Sequence, residues 1–361
     1  MLQLQHIALT QFRNHIAQQY HFSKNIVGIC GDNGTGKTNL LDAIYYLSFC
    51  KSYFNRTDSS NVSHQHLGFR IEGDLLLQEK KQQVTCIVRE NNKKEFYLNN
   101  EEYKKLSQHI GLLPCVMIAP DDIELITGAS ELRRRFIDMI ISQTNADYLQ
   151  HLIEYNNLLQ QRNSILKQQA ATGKIDDILF AIITEQLVAK GNVIFSVRNT
   201  FLNDFLPRVI SNYNNIAQSN EALHCQYQSQ LQHNNFAQIM QKNTPTDFAL
   251  QRTTTGIHKD DIEFLLNNTK FKTEASQGQR KSLLFALKLS EWQSLQLNKG
   301  FYPILLLDDV FEKLDTDRMS NLLHIVSTQK DCQVFITDTH KERLEMQLQQ
   351  LNTNFEVIEL S

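Results

Sequence analysis

Apolar and polar positions alternate over residues 2–10 (LQLQHIALT), a period that predicts a half-buried strand at the edge of a sheet. Asn25 to Cys30 is a short apolar run followed by glycine, the pattern of a buried strand, and helix-like spacing follows from Lys37 to Phe49. From about Leu67 to Leu98 the runs HLGFRIEGDLLL, QQVTCIVRE and KEFYLNN are separated by polar turns such as Asn91-Asn92, which predicts an antiparallel meander. The period then changes. Between Arg133 and about Tyr213 the spacing is helical, with Leu152, Leu159 and Leu166 seven apart and Tyr148, Tyr155, Leu158 and Ile165 beside them. A second helical segment runs from Asp176 to Phe205, and Gly173 between the two predicts an antiparallel helical hairpin projecting from the core. After Phe248 strands and helices alternate again: a strand at Ile262 to Leu266, a helix at Gln279 to Leu297, a buried strand at Pro303 to Leu307, then another helix and a strand ending at Phe335 to Thr337.

An α/β core with an inserted helical lobe therefore divides the chain into residues 1–135, 136–247 and 248–361. The 361 residues exceed what one hydrophobic core of about 250 to 300 residues holds, so more than one unit is expected. Apolar residues at 41% and charged residues at 21% exclude wholesale disorder, and the Gln/Asn-rich stretch from Tyr213 to Asn243 reads as solvated surface. The N-terminus lacks the basic-then-apolar layout of a secretory signal, and no later run approaches membrane-spanning length, which predicts a cytoplasmic protein. Six scattered cysteines show neither CxxC nor Cys/His ligand spacing and read as small buried hydrophobes. With a net charge of -3, any nucleic-acid surface must be local.

The chemistry is concentrated in a few strings. Gly31-Asp32-Asn33-Gly34-Thr35-Gly36-Lys37-Thr38 fits GxxxxGK[ST] between a predicted strand and a predicted helix, the context in which backbone N–H groups cradle phosphates. Lys37 would reach the β- and γ-phosphates of ATP, Thr38 would offer its hydroxyl to Mg²⁺, and Asn39 is a further candidate nucleotide contact where the loop enters the helix. Ile304 to Leu307 is an apolar strand opening onto Asp308 and Asp309, the form of a Walker B strand. Asp308 would hold Mg²⁺ through water, and Asp309 stands where a general base could polarise the attacking water, with a side chain one methylene shorter than glutamate. Ser276-Gln277-Gly278-Gln279 precedes an amphipathic helix, and Lys313-Leu314-Asp315 follows the Walker B strand. Signature, helix, Walker B and D-loop is the order of the C-terminal lobe of an ABC ATPase, in which Ser276, Gly278 and Gln279 would close over a nucleotide bound by a second subunit.

These strings resemble the RecF family over nearly the whole chain. The likeness runs from Phe12-Arg13-Asn14 through GDNGTGKTNLLDAIYYLSFCKSY (residues 31–53), Pro120-Asp121-Asp122 with Leu125 and Gly128, and Arg133-Arg134-Arg135-Phe136-Ile137-Asp138, to SQGQRKS and LLLDDVFEKLD. The resemblance implies an ABC/SMC-type ATPase head with an antiparallel β meander and an inserted helical lobe. It further implies ATP and Mg²⁺ as cofactors, an ATP-dependent homodimer, slow DNA-stimulated hydrolysis, and binding of single-stranded, gapped or junction DNA. RecO and RecR are the implied partners in loading recombinase, with roles in recombinational repair, replication restart and SOS induction. Two segments depart from the family pattern: Gly256-Ile257-His258-Lys259-Asp260-Asp261 lacks its Pro and Arg, and Val334 to His340 lacks a Ser-His switch pair, leaving His340 outside the expected site. Lys51 with Arg56, Lys80-Lys81, Lys93-Lys94, Lys104-Lys105 and Arg133 to Arg135 are candidate phosphate contacts on DNA, with the arginine run also suited to internal pairing with Asp121, Asp122 or Glu131. The alternatives fit less well. An SMC-like structural ATPase needs long coiled-coil arms, a small-molecule P-loop kinase has no use for a signature loop, and a scaffold without hydrolysis would require Asp309 to be misplaced.

Overall fold

The computed structural model describes residues 1–55, 57–217, 221–310, 316–329, 331–350 and 353–361. Lys313-Leu314-Asp315 and Arg56 lie outside the described residues. The strands are β1 (Leu2–Phe12), β2 (His15–His21), β3 (Ile26–Cys30), β4 (Phe69–Leu77), β5 (Lys80–Val88), β6 (Lys94–Leu98), β7 (Glu101–Glu102), β8 (Cys115–Ile118), β9 (Leu223–Gln228), β10 (Asp261–Leu266), β11 (Thr269–Lys270), β12 (Ile304–Leu307), β13 (Val334–Asp338) and β14 (Phe355–Glu359). The helices are α1 (Lys37–Phe49), α2 (Glu124–Thr127), α3 (Ser130–Thr144), α4 (Ala146–Thr172), α5 (Asp177–Ala217), α6 (Phe236–Leu250), α7 (Phe271–Glu274), α8 (Gln277–Lys299), α9 (Thr316–Ser327) and α10 (Lys341–Gln349).

The chain divides into two compact units. One comprises Met1–Ile123, Asn212–Ser219 and Ser276–Ser361, the other Glu124–Ser211 and Asn220–Ala275. The first holds two sheets. An antiparallel sheet of order β2-β1-β4-β5-β6-β7 contains the expected meander, and a parallel sheet of order β14-β3-β13-β12-β8 carries the motif strands. β3, β12, β13 and β8 are buried along their whole length, as parallel strands covered on both faces must be; β3, β8 and β12 carry apolar runs, and β13 ends in the buried polar pair Thr337 and Asp338. β1 is not an edge strand: it pairs with β2 on one side and β4 on the other, and its alternation reflects one packed and one solvated face. α10 and β14 extend the fold beyond the strand at which the sequence pattern was last legible. α8 is buried over much of its length, including Lys288, whose ammonium donates to the Met117 carbonyl at 2.7 Å and Tyr53 hydroxyl at 3.1 Å. Burial raises the nearby Glu291 carboxyl to about 7.

The second unit is built on α3, α4, most of α5 and α6, with a small sheet of order β11-β10-β9. Gly173, at φ 70°, caps α4 in the left-handed region, and Lys190 on α5 reaches Glu154 on α4 at 2.6 Å, so the helical hairpin forms. Its buried seam differs from the leucine repeat. Tyr148, Tyr155, Arg162 and Leu166 are the buried residues of α4, whereas Leu152 and Leu159 are only partly covered. Arg162 can occupy a core position because its guanidinium donates to Asp247 at 2.7 Å and Thr253 at 2.8 Å, with both charges fully buried. α5 is long and apolar enough to cross a membrane by length and composition, containing a window of mean hydropathy 1.5, although no uninterrupted apolar run marks it. Its inward positions Ile183, Leu187, Ile194, Leu202 and Phe205 form core, and Arg198 among them is ion-paired with Asp138 at 2.8 Å and Asp260 at 3.1 Å.

The six cysteines are free, and all but Cys225 are buried. GIHKDD also finds its place in this unit. His258 lies between the Tyr155 hydroxyl (2.8 Å) and the Thr253 carbonyl (3.1 Å), while Asp261 receives both Nε and Nη2 of Arg133 at 2.7 and 3.0 Å. Arg134 donates to the Asp260 carbonyl at 2.6 Å. Arg133 and Arg134 therefore take partners in the 256–261 segment, in place of the aspartates of Pro120-Asp121-Asp122.

Candidate functional site

β3 ends in the glycine-rich loop and α1 begins at Lys37, so the loop spans a strand-to-helix turn at the C-terminal edge of the parallel sheet. Gly36, at φ 103°, caps α1 without any side-chain hydrogen bond, which leaves the amides of the first turn for an anion. A side chain at Gly36 would also collide with Asn14 and His15, since a Cβ there would lie 2.5 Å from Asn14 Nδ2 and 2.8 Å from His15 Nε2. Lys37 folds back over the loop, its Nζ donating to the carbonyls of Gly31 (2.7 Å) and Asp32 (2.9 Å). Asp32, Asn33 and Gly34 are exposed at the tip, and Thr35 closes the turn by donating its hydroxyl and amide to the Asp32 carbonyl.

The β1–β2 turn braces this loop, a contact invisible to motif reading except as the string Phe12-Arg13-Asn14. Asn14 donates its amide to the Gly34 carbonyl at 3.3 Å and accepts from Asn39 at 2.7 Å. The Gly36 carbonyl can only accept, so His15 Nε2–H donates to it (3.2 Å), and Nδ1 lies 3.3 Å from the Tyr20 hydroxyl; burial lowers the His15 pKa. Arg13 holds Asn39 at 2.6 Å and the fully buried Asp42 at 2.5 Å, tying α1 to the turn. Asn39 therefore sits between Arg13 and Asn14.

Across the loop, the Thr38 hydroxyl donates to both carboxylate oxygens of Asp308, at 2.9 and 3.1 Å. The sheet brings these two together because β3 and β12 flank β13. Asp308 is 4% exposed, and burial raises its carboxyl to about 6 against the opposing effect of hydrogen bonds from Thr337 and Thr38. Asp309 follows with φ 51°, an uncommon left-handed conformation for a non-glycine residue, and its amide donates to Thr337 Oγ1 at 2.9 Å. A hydroxyl and a carboxylate facing each other make a hard-oxygen donor pair suited to Mg²⁺.

Ser276 begins α8 with a complete capping box. Its side chain accepts from the Gln279 amide at 3.2 Å, and the Gln279 side chain accepts from the Ser276 amide at 2.7 Å. Ser276 and Gln277 are exposed, and Gly278 is part-exposed in the first turn. His340 is exposed and begins α10, its amide donating to the buried Asp338, which Arg343 grips with two hydrogen bonds. Among the basic candidates, Lys93 pairs with Glu95 at 3.0 Å and Lys94 with Asp58 at 2.8 Å, whereas Lys80, Lys81, Lys104 and Lys105 are exposed.

A P-loop closing onto a Walker B strand in a parallel sheet, with an antiparallel sheet beside it in the same unit and a signature turn opening a buried helix, defines an ATPase head of the ABC/SMC type. The family model described as "RecF/RecN/SMC N terminal domain" matches residues 3–358. The chain is 38% identical over 355 residues to the DNA replication and repair protein RecF of Bacteroides fragilis (strain YCH46), covering 98% of this chain and 95% of that protein. It is 37% identical over 359 residues to the protein of the same name from Flavobacterium johnsoniae, covering 99% and 100% of the two chains. A solved structure described as the recombination mediator protein RecF-ATP in the RecFOR pathway superposes with a TM-score of 0.87 at 30% identity, covering 94% of this chain and 92% of that one. The Smc head domain of Pyrococcus furiosus shares the fold, at a TM-score of 0.56 and 13% identity over 100% and 94% of the chains. This chain belongs to the RecF family.

Proposed function

We propose that this chain is a DNA replication and repair ATPase that binds ATP in the Gly31–Thr38 loop, dimerises while ATP is bound, and in that state holds DNA. The observation that carries the reading is the Thr38–Asp308 contact between the end of the P-loop and the end of the Walker B strand, with Asp309 next in the chain. Lys37 now rests on two loop carbonyls, and a triphosphate would draw its ammonium from them. Thr38 and Asp308 would hold Mg²⁺, which neutralises charge on the phosphates. Among the described residues no group of three His, Cys, Asp or Glu side chains could cage a metal alone, so its other ligands would be phosphate oxygens and water. Asp309 serves as general base for a slow hydrolysis that ends the ATP-bound state.

Ser276, Gly278 and Gln279 of one subunit would complete the γ-phosphate site of the other, making dimerisation a nucleotide switch. The ATPase lobe would be the unit of residues 1–123, 212–219 and 276–361, and the helical lobe that of residues 124–211 and 220–275, in place of the expected bounds 1–135, 136–247 and 248–361. Lys80, Lys81, Lys104 and Lys105 are the favoured phosphate contacts, since Lys93, Lys94 and Arg133 already have carboxylate partners. Single-stranded, gapped or junction DNA is the substrate class. The setting is cytoplasmic recombinational repair, replication restart and SOS induction, with RecO and RecR as partners in loading recombinase. Sedimentation of the full chain with ATP, ADP or a non-hydrolysable analogue, with and without gapped DNA, tests the reading. ATP and the analogue should produce a dimer and tighter DNA binding, and the reading fails if ADP does so equally.

A further inference from the structure

The Walker B carboxylates do not set their own positions. Thr337 stands at the end of β13, the strand between β3 and β12, and is fully buried. Its neighbours in register show why it can reach both sides of the site: Ile336 pairs with Leu307, the residue before Asp308, while Thr337 itself pairs with Ile29 and Asp338 with Cys30, the residue before Gly31. The hydroxyl makes two bonds of 2.9 Å, one with Asp308 Oδ1 and one with the backbone amide of Asp309. An amide can only donate, so Oγ1 must accept from Asp309, and its single proton is directed to Asp308. One oxygen thus orients the first carboxylate, together with the Thr38 hydroxyl, and bonds the amide of the second residue, whose backbone is left-handed at φ 51°. Nothing in the motif pattern marks this threonine, because its strand departs from the Ser-His form expected of an ABC switch segment.

We propose that Thr337 is the positioning residue of the Walker B pair. Through Asp308 it sets the site for Mg²⁺, and through the Asp309 backbone it aims the general base. The inference rests on the reading of this site as a Mg²⁺-dependent ATPase, and two readouts keep the two claims apart.

The test replaces the hydroxyl by an isosteric methyl in Thr337→Val and restores it without the methyl in Thr337→Ser, with Thr337→Ala as a second deletion should the valine variant fail to fold. Each variant is measured for kcat and KM with Mg-ATP, for the Mg²⁺ concentration that half-saturates binding of a non-hydrolysable ATP analogue, and for thermal unfolding. Deletion should lower kcat about tenfold or more, as expected when a catalytic group is displaced, and raise the half-saturating Mg²⁺ severalfold. KM should stay within about threefold, because Lys37 and the loop amides are untouched. Serine should restore both quantities to within about threefold of the parent. A deletion variant with parental kcat and Mg²⁺ dependence overturns the proposal, as does a serine variant as impaired as the deletion. If the parent protein shows no turnover, the ATPase reading fails while the Mg²⁺ titration still decides the role of Thr337.

Discussion

The P-loop and the signature turn are both short polar segments that open a helix in the same unit, yet they treat the helix end in opposite ways. Gly36 caps α1 with no side chain at all, while Ser276 and Gln279 cap α8 reciprocally. The first arrangement leaves every amide of the opening turn for a ligand, and the β1–β2 turn grips the loop carbonyls from behind to keep those amides aimed. The second satisfies the amides of Ser276 and Gln279 internally, in a turn whose Ser276 and Gln277 are exposed. On the proposed reading, a P-loop of this kind holds phosphate in its own right, whereas the signature turn, a stable capped surface, would meet a phosphate only when a second subunit brings one to it.

That contrast can be broken most severely at Lys37. Lys37→Ala removes the ammonium that would leave the Gly31 and Asp32 carbonyls for the β- and γ-phosphates, and ATP affinity should fall by about a hundredfold or more. Calorimetric titration of the monomer measures it, and parental affinity would move the nucleotide site elsewhere.

At the other helix the effect should appear only between subunits. Ser276→Arg places a large side chain on the exposed turn, so monomeric ATP binding should stay within about twofold while ATP-dependent dimerisation and the associated gain in DNA binding disappear. Sedimentation with ATP checks this, and a variant that still dimerises would refute a site shared between subunits.

Asp309→Asn separates chemistry from assembly. Loss of a general base should slow turnover by roughly a hundredfold, with ATP binding and the ATP-bound dimer retained. A longer-lived dimer in sedimentation and a low rate of phosphate release are the expected pair of observations, and unchanged turnover would place the base at another residue.

What the sequence revealed of this contrast follows from how local each feature is. Phosphate loops need glycine at fixed offsets, and strands buried on both faces need unbroken apolar runs, so the Gly31–Thr38 loop, α1 and β12 were all legible with nearly correct bounds. The bracing contacts were not. Asn14 reaches Gly34 and Thr337 reaches Asp308 across 20 and 29 residues, and only the paired strands bring them together. The helical lobe carries the same lesson more strongly. Arg162, seven residues after Tyr155, and Arg198, four after Ile194, fall on the buried stripes of their helices, and a charge can lie there only because Asp247, Asp138 and Asp260 arrive from elsewhere in the chain. β1 was misplaced at an edge because alternation reports one buried face and says nothing of how many neighbours a strand has.

The smallest expected effect is also the one that sharpens the comparison most. Gln279 could contact nucleotide directly or could serve only the cap, and its side chain is seen accepting from the Ser276 amide. Gln279→Ala removes half of the capping box while leaving the Ser276 hydroxyl and the Gln277 and Gly278 amides in place. If the glutamine acts through the cap alone, stability should drop by about 0.5 to 1 kcal/mol, the usual scale of a helix cap, and the ATP concentration needed for dimerisation should rise no more than about threefold. Thermal unfolding and sedimentation of the same preparation give both numbers. If dimerisation is instead lost as in Ser276→Arg while the unfolding midpoint hardly moves, Gln279 must leave its cap to meet the partner's phosphate, and the signature turn would then rearrange on closure instead of docking as a preformed surface.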